Sequence, residues 1–495
     1  MTILPARRSR VSPAPAVYGT AELRVLARQT FERAAGAPLV EGNAVRLLRD
    51  AAENYPAWLA AIHGARRRVD FEMYILHDDE AGEEFAAALA AKAGEGVRVR
   101  LLYDWMGALG ATSRRFWRRL ERAGVEVRVF NPLRFTSPVG WVSRDHRKTI
   151  TVDGTVAFVS GLCVGRMWVG DPARGIEPWR DTGVEIRGPA VADVERAFAQ
   201  AWATAGPPDE REELETVEDV APAGDVAVRI VATMPGTTGL LRLDQLIAGL
   251  ARDRLWLSDA YFVGTSPYVQ ALCAAALDGV DVRILLPDAS DIPILRPLTR
   301  SGYQPLLEAG VRIFEWRGPM MHAKSAVADD RWARVGSTNL NIASWMGNWE
   351  LDVSVEDAGF AREMAAAYEQ DLARATEVVL DQRRRVRPAG QLQRTTRRRR
   401  GERRSGITRA ATGAIRLGNT MGAAVTSKRV LERGELRLAA GAGVLLLALT
   451  IVVLLWPRVL AVPVAVLALW GALALLVRAM ELWRSEPHPE RSAID

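Results

Sequence analysis

His146-Arg147-Lys148-Thr149-Ile150-Thr151-Val152-Asp153 and His322-Ala323-Lys324-Ser325-Ala326-Val327-Ala328-Asp329 are two copies of one frame, H-x-K-x4-D, set 176 residues apart. The chain has only five histidines (63, 77, 146, 322 and 488), and two of them stand in this frame. Each copy also leads into a small-residue turn, Ser160-Gly161-Leu162-Cys163 after the first and Gly336-Ser337-Thr338-Asn339 after the second. Chance accounts poorly for such a recurrence. The reading it supports is a duplicated half-site whose two histidines work as a pair.

The sequence around the motifs repeats in the same order. Val45-Arg46-Leu47 returns as Val228-Arg229-Ile230, and the run from Val69 to Tyr74 answers Leu255 to Tyr261, with Glu72 opposite Asp259. Ala/Leu-rich stretches at 83–94 and 267–277, expected to be helical, come next, then Gly96-Val97-Arg98-Val99-Arg100 against Gly279-Val280-Asp281-Val282-Arg283. Short Val/Ile/Leu runs alternating with helical stretches predict an α/β fold with a parallel or mixed sheet in each half. The expected organisation is an N-terminal tail and helix (1–42, the helix near 21–35), a first lobe (43–205), a Pro- and acid-rich linker (206–224) and a second lobe (225–380). The lobes are expected to be homologous, flanked by helices and related by a pseudo-two-fold axis.

Composition narrows the possible partners and cofactors. With 49% hydrophobic and 25% charged residues the chain is a folded protein, not a disordered one. Cys163 and Cys273 are the only cysteines and neither has a ligand-like spacing with histidine, so no zinc site or disulfide framework is expected. The net charge of +6 is misleading as a mean. Eleven arginines against Glu402 between 383 and 404 give that tract +10, which leaves about −4 for the rest. The basic character is an appendage, and nucleic acid is not the expected partner of the body.

Residues 438–457 and 459–477 carry no charge and are dominated by Leu, Val and Ala. Each is long enough for a helix across a hydrocarbon core of about 30 Å, which takes roughly 20 residues. A transmembrane hairpin (438–477) is therefore expected, preceded by an Arg-rich juxtamembrane segment (381–437) and followed by a tail (478–495). Lys428, Arg429, Arg433 and Arg437 before it and Arg478, Arg484 and Arg491 after it, against Arg458 between, place both ends in the cytoplasm.

In an extended segment residues two apart share a face, so each His-x-Lys presents imidazole and ammonium side by side. A neutral imidazole can attack phosphorus while lysine neutralises the non-bridging oxygens, and a second histidine can protonate the leaving oxygen. Both half-sites together supply a complete phosphodiester-transfer mechanism.

From these residues the chain resembles the phospholipase D superfamily, and within it the bacterial cardiolipin synthases, over about 43–380. Trp179-Arg180-Asp181, Gly188-Pro189 and Asn348-Trp349-Glu350 extend the resemblance. It implies a phosphohistidine intermediate formed where the halves meet, without metal or cofactor. His146 and Lys148 with Asp153, and His322 and Lys324 with Asp329, are the implied catalytic set, with His146 as nucleophile and His322 as general acid/base. Asp153 and Asp329 lie well beyond their lysines, which favours a structural role for them. Asp181 and Glu350, 35 and 28 residues beyond the two histidines, are the implied orienting acids, each expected to fix the ring of its own half. Ser160, Ser337 and Asn339 are the expected phosphate-binding residues. The first motif departs from the pattern by ending in Cys163 where the second has Asn339, and a packing role is expected for that cysteine. Among Trp105, Trp141, Trp168, Trp345 and Trp349, near the motif turns, an acyl-chain entrance is expected only at Trp141.

The expected activity is phosphatidyl transfer, cardiolipin being made from phosphatidylglycerol. Hydrolysis to phosphatidic acid and the nuclease chemistry of the same superfamily are the alternatives. The expected partners are anionic phospholipids, and the expected location is a bacterial inner membrane with the lobes on its cytoplasmic side. The sequence leaves the oligomeric state open.

Overall fold

The computed structural model describes residues 20–132, 143–207, 220–292, 295–381 and 386–389, with Leu469, Trp470 and Ala472. A helix at Thr20–Ala35 precedes the sheet. The strands of the first half are β1 (Val40–Arg49), β2 (Arg68–Met73), β3 (Arg98–Asp104), β4 (Glu126–Phe130), β5 (Lys148–Val152), β6 (Val156–Ser160) and β7 (Thr182–Arg187). Those of the second are β8 (Val226–Thr233), β9 (Arg254–Ser258), β10 (Asp281–Pro287), β11 (Arg312–Trp316), β12 (Ser325–Ala328), β13 (Trp332–Gly336), β14 (Glu350–Glu356), β15 (Ala375–Leu380) and β16 (Val386–Pro388).

All sixteen strands form one sheet in the order β16-β15-β11-β10-β9-β12-β13-β14-β8-β1-β7-β6-β5-β2-β3-β4. Read outward from the centre, β8-β14-β13-β12-β9-β10-β11 repeats β1-β7-β6-β5-β2-β3-β4 strand for strand. The duplication inferred from sequence is thus a duplication of topology. In each half the outer strands run parallel, β2 with β3 and β4, β9 with β10 and β11, because a helix returns the chain between them. Glu80–Gly94 and Ser266–Leu277 are two of these crossover helices. The halves join where β1 pairs antiparallel with β8 across Val40↔Val228 and Asn43↔Val226. β16 lies within the stretch read as juxtamembrane, so the sheet continues beyond 380.

β5, β6 and β13 are buried at every position, the pattern of strands covered on both faces. One apolar cluster, including Trp58, Phe71 and Phe85, lies within the first half, and another, including Leu257, Tyr268 and Trp345, within the second. A third, with Val184, Val191, Val353 and Phe360, draws on both and joins them.

Asp153 and Asp329 occupy the hairpins β5-β6 and β12-β13. Each has positive φ, 54° and 50°, and so does the next residue, Gly154 at 69° and Asp330 at 50°. With Thr155 N–H donating to Val152 O and Arg331 N–H to Ala328 O, both are tight turns of the type I′ pattern. The Asp153 carboxylate accepts the backbone N–H groups of Arg66, Arg67 and Arg68 at 2.7–2.8 Å, and Asp329 those of Arg252, Asp253 and Arg254 at 2.8–3.0 Å. Both carboxylates are thus occupied by backbone donors. Five strand residues place each about 16 Å from its lysine, and there it pins the start of β2 or β9.

Burial would raise the Asp329 carboxyl, but the three N–H groups outweigh it and hold it below its ordinary value. Its stabilising contribution is therefore present above the unfolded value of 3.8 and is lost as pH falls through the lower folded one. Asp329→Asn is expected to cost about 1–2 kcal/mol in thermal or urea unfolding, with kcat within a few-fold of wild type. A kcat loss as large as that of Lys324→Ala would restore Asp329 to the reaction.

Among the described residues no helix is long and apolar enough to cross a membrane. Apart from the helical Leu469, Trp470 and Ala472, the hairpin expected at 438–477 lies outside the described residues. So do Trp141, the Arg tract from 390 onward and the middle of the linker.

Candidate active site

Each motif histidine sits just before a buried strand, on a segment that crosses to the other half. Asp145 forms a parallel bridge with Trp349, His146 N–H donates to Trp349 O at 2.9 Å and Trp349 N–H to Arg144 O at 2.8 Å. The second motif repeats this: Arg180 bridges Met321, His322 N–H donates to Arg180 O at 2.7 Å and Arg180 N–H to Met320 O at 2.9 Å. Trp349 and Arg180 are the residues immediately before the two acids, so each crossing delivers a carboxylate to the histidine of the opposite half.

His146 Nδ1 lies 2.9 Å from Glu350 Oε2, and His322 Nδ1 lies 2.6 Å from Asp181 Oδ2. The pairing expected from sequence is thus corrected. Both acids do orient imidazoles, but across the interface, because the backbone bridges join the motif of one half to the acid strand of the other. With a carboxylate at Nδ1 the proton is held there, and Nε2 keeps its lone pair.

The lysines follow the i, i+2 expectation. Lys148 Nζ donates to His146 O and Lys324 Nζ to His322 O, and Lys324 Nζ is 2.9 Å from His322 Nε2. Two tyrosines outside the sequence motifs, and not expected at the site, complete the arrangement. Tyr74 packs edge-on to His146 at 4.9 Å with Lys148 Nζ 5.0 Å from its ring centre, and Tyr261 packs against His322 at 5.9 Å with Lys324 Nζ at 5.8 Å. Their signal lies in the repeat, since both close the same aligned run. Trp168 and Trp179 lie 5.7 and 5.5 Å from His322.

These surroundings set the protonation states. Burial lowers His322, the Lys324 cation lowers it further and Asp181 opposes, leaving it at about 4. Burial also lowers His146, with Glu350 opposing and Lys148 adding to the fall. Lys324 is brought to about 8 by burial, against Asp181, with the Lys148 cation contributing. Burial would raise Asp181 and Glu350, but the imidazoles and lysines outweigh it, so both carboxyls lie below their ordinary range. At pH 7 the site thus has two neutral imidazoles and two ionised acids, with Lys324 mostly ammonium.

The turns after the motifs differ. Thr149↔Val159 and Ser325↔Val335 in the ladders make Ser160, Gly161, Leu162 and Cys163 the counterparts of Gly336, Ser337, Thr338 and Asn339. Two of the three expected phosphate-binding residues have protein partners for their hydroxyls. Ser160 Oγ donates to Leu162 O at 3.3 Å and Ser337 Oγ to Glu350 Oε2 at 2.6 Å, so both hydroxyls are committed to protein acceptors. Asn339 is buried and its Oδ1 accepts no hydrogen bond from the protein.

Where the second half steadies Glu350 with Ser337, the first has Gly161, and Trp168 Nε1 donates to Asp181 Oδ2 at 3.2 Å instead. A Cβ at 161 would stand 2.2 Å from Asp181 Oδ1. Gly161→Ala is expected to push Asp181 off His322 and lower kcat by about 10², measured as turnover on a folded variant; wild-type kcat would mean that Asp181 has room to move. Cys163 is buried, its thiol raised by that burial against the pull of Lys148, so it stays protonated. Trp168 and Trp345 are core residues and Trp349 is nearly so, not an entrance. Arg147, which replaces Ala323, donates to Ala197 O, Thr233 O and Glu350 O and so ties the halves together beside His146.

The family model described as "Cardiolipin synthase, PLD-like domain" matches residues 58–202 and 245–372. Cardiolipin synthase A of Pseudomonas fluorescens is 33% identical over 367 residues, covering 72% of this chain and 74% of its own length. Cardiolipin synthase of Halalkalibacterium halodurans is 31% identical over 362 residues, 71% of this chain and 70% of its own. Among solved structures, the phosphatidylserine synthase of Haemophilus influenzae superposes with a TM-score of 0.57 at 15% identity, over 71% of this chain and 92% of its own, a likeness of fold. Two matched segments, one within each topological repeat and each carrying one His-Lys pair, make this chain a member of the cardiolipin synthase, PLD-like domain family.

Proposed function

We propose that the chain is a phosphatidyl transferase that makes cardiolipin from phosphatidylglycerol through a phosphohistidine. The observation that carries this reading is the pair of imidazoles with Nδ1 fixed by crossed carboxylates and a lysine beside each. His146 Nε2 attacks phosphorus of one phosphatidylglycerol; the N–P bond forms as the P–O bond to the terminal glycerol breaks, and His322 gives that oxygen its proton. A second phosphatidylglycerol then loses its hydroxyl proton to His322 and attacks the phosphohistidine, which releases cardiolipin and His146. Lys148, Lys324 and the Asn339 amide hold the non-bridging oxygens. Burial is the main cause of the lowered His322, but an anionic diester beside the lysines offsets the part that the Lys324 cation adds, so substrate arrival favours the protonated form needed for the first step. The family relationship supports the substrate class, and the apolar runs 438–457 and 459–477 with the Arg tract support attachment to a bacterial inner membrane, lobes on the cytoplasmic side.

Purified protein incubated with labelled phosphatidylglycerol tests the reading. Cardiolipin and glycerol in equal amounts are expected. Phosphatidic acid would transfer the reading to hydrolysis, and cleavage of single-stranded DNA in place of lipid would replace it with a nuclease.

A further inference from the structure

Among the described residues, six of the eleven exposed large hydrophobic side chains lie in two equivalent sets of connections. Leu109, Val169 and Ile176 in the first half and Ile292, Ile342 and Met346 in the second are between 42% (Ile292) and 62% (Leu109) exposed. All six lie on connections that leave the sheet at its catalytic end. Leu109 follows β3 and Ile292 follows β10 at the same repeat position, 183 residues apart. Val169 and Ile176 lie between β6 and β7, and Ile342 and Met346 between the equivalent β13 and β14.

Each stands within three residues of a group that builds the site. The loop of Leu109 packs Gly107 so closely on Tyr74 O that a Cβ there would be 2.1 Å away, and Tyr74 packs on His146. Asp291, beside Ile292, accepts the Tyr261 hydroxyl at 2.8 Å, and Asn341, beside Ile342, donates to Tyr261 O at 3.0 Å. Val169 adjoins Trp168, Ile176 precedes Trp179, and Met346 precedes Trp349, whose carbonyl holds the His146 N–H. Exposed Arg114 and Arg115 open the helix Arg114–Arg122 beside Leu109. At the other end of the sheet the connections into β2, β3, β9 and β10 expose only Leu250 and Leu277 as large aliphatics among the described residues.

A soluble protein gains nothing by showing six aliphatic side chains, three per half, around a charged site, and exposed apolar groups concentrated at one face mark an interaction surface. We infer that the catalytic end of the sheet is a lipid-docking face. The six side chains enter the interfacial region of an anionic membrane on both sides of the histidine pair, and Arg114 and Arg115 meet headgroup phosphates. The occupant is a lipid surface because apolar side chains beside exposed arginines match acyl chains beneath anionic headgroups. The inference rests on the phospholipid reading of the substrate. It adds that both substrates reach the histidines from the bilayer plane, one through each half.

The test uses the full chain with Cys273→Ser, where Cys163 stays buried. An environment-sensitive fluorophore is placed by Leu109→Cys, Ile342→Cys or, at the far end, Leu277→Cys, in phosphatidylglycerol vesicles containing nitroxide-labelled lipid. Quenching at 109 and 342 at least twofold greater than at 277 is expected; equal quenching at the three overturns the inference whether or not the enzyme turns over. In parallel, Leu109→Asp/Ile342→Asp is expected to lose tenfold or more of its turnover on vesicles while matching wild type on a monomeric short-chain phosphatidylglycerol, and wild-type turnover on both also overturns it. If the double variant fails on both lipids, the quenching result decides. Wild type inactive on both lipids yet quenched at 109 and 342 would sink the substrate reading and leave the docking face standing.

Discussion

His146→Ala is expected to lower cardiolipin formation by about 10⁴ or more and to abolish the phosphoenzyme, because in the proposed mechanism its Nε2 forms the N–P bond. His322→Ala removes only the proton transfer, typically about 10²–10⁴ in rate. A phosphodiester with a p-nitrophenyl leaving group separates the roles, since that phenolate departs without an acid. His322→Ala should still release a burst of p-nitrophenol equal to the enzyme present and retain the label on protein, whereas His146→Ala should give no burst. A burst from His146→Ala and none from His322→Ala would exchange the two roles.

The crossed pairing predicts an effect nearly as large. Asp181→Asn and Glu350→Gln keep the size of each side chain, but an amide can donate to Nδ1 and so move the imidazole proton to Nε2, the tautomer that can neither attack nor accept. Turnover of phosphatidylglycerol should fall by about 10²–10⁴ in both. On the p-nitrophenyl diester the two part company. Glu350→Gln should lose the burst, because Glu350 serves His146, while Asp181→Asn should keep it, because Asp181 serves His322. The reverse pattern would mean that each acid serves its own half in solution.

Several features were legible in the sequence because they depend on local periodicity. The alternation of strands puts His146 with Lys148 and His322 with Lys324 without knowledge of what surrounds them. The ordered recurrence from Val45 to Asp329 implied the duplication, and the sheet order repeats it strand for strand. The distance of Asp153 and Asp329 from their lysines already suggested a structural role, and the hairpin turns supply its mechanism. The partners of Ser160 and Ser337, here Leu162 O and Glu350, were not legible because a hydroxyl's partner depends on what the fold brings near. Tyr74 and Tyr261 were not expected at the site because an aromatic residue ending a strand is most often core, and only the packing of imidazole and ammonium against their rings distinguishes them.

The sequence by itself determined which residue types carry the chemistry and that there are two sets of them, since motif, spacing and repeat are properties of the chain. Only the tertiary structure decided which acid meets which histidine. His146 and Glu350 are 204 residues apart and His322 and Asp181 are 141 apart, farther than the same-half alternatives in both cases. What joins them is the pairing of β1 with β8 and the two parallel bridges between the halves, and non-local backbone hydrogen bonds of that kind leave no trace in the spacing within either half.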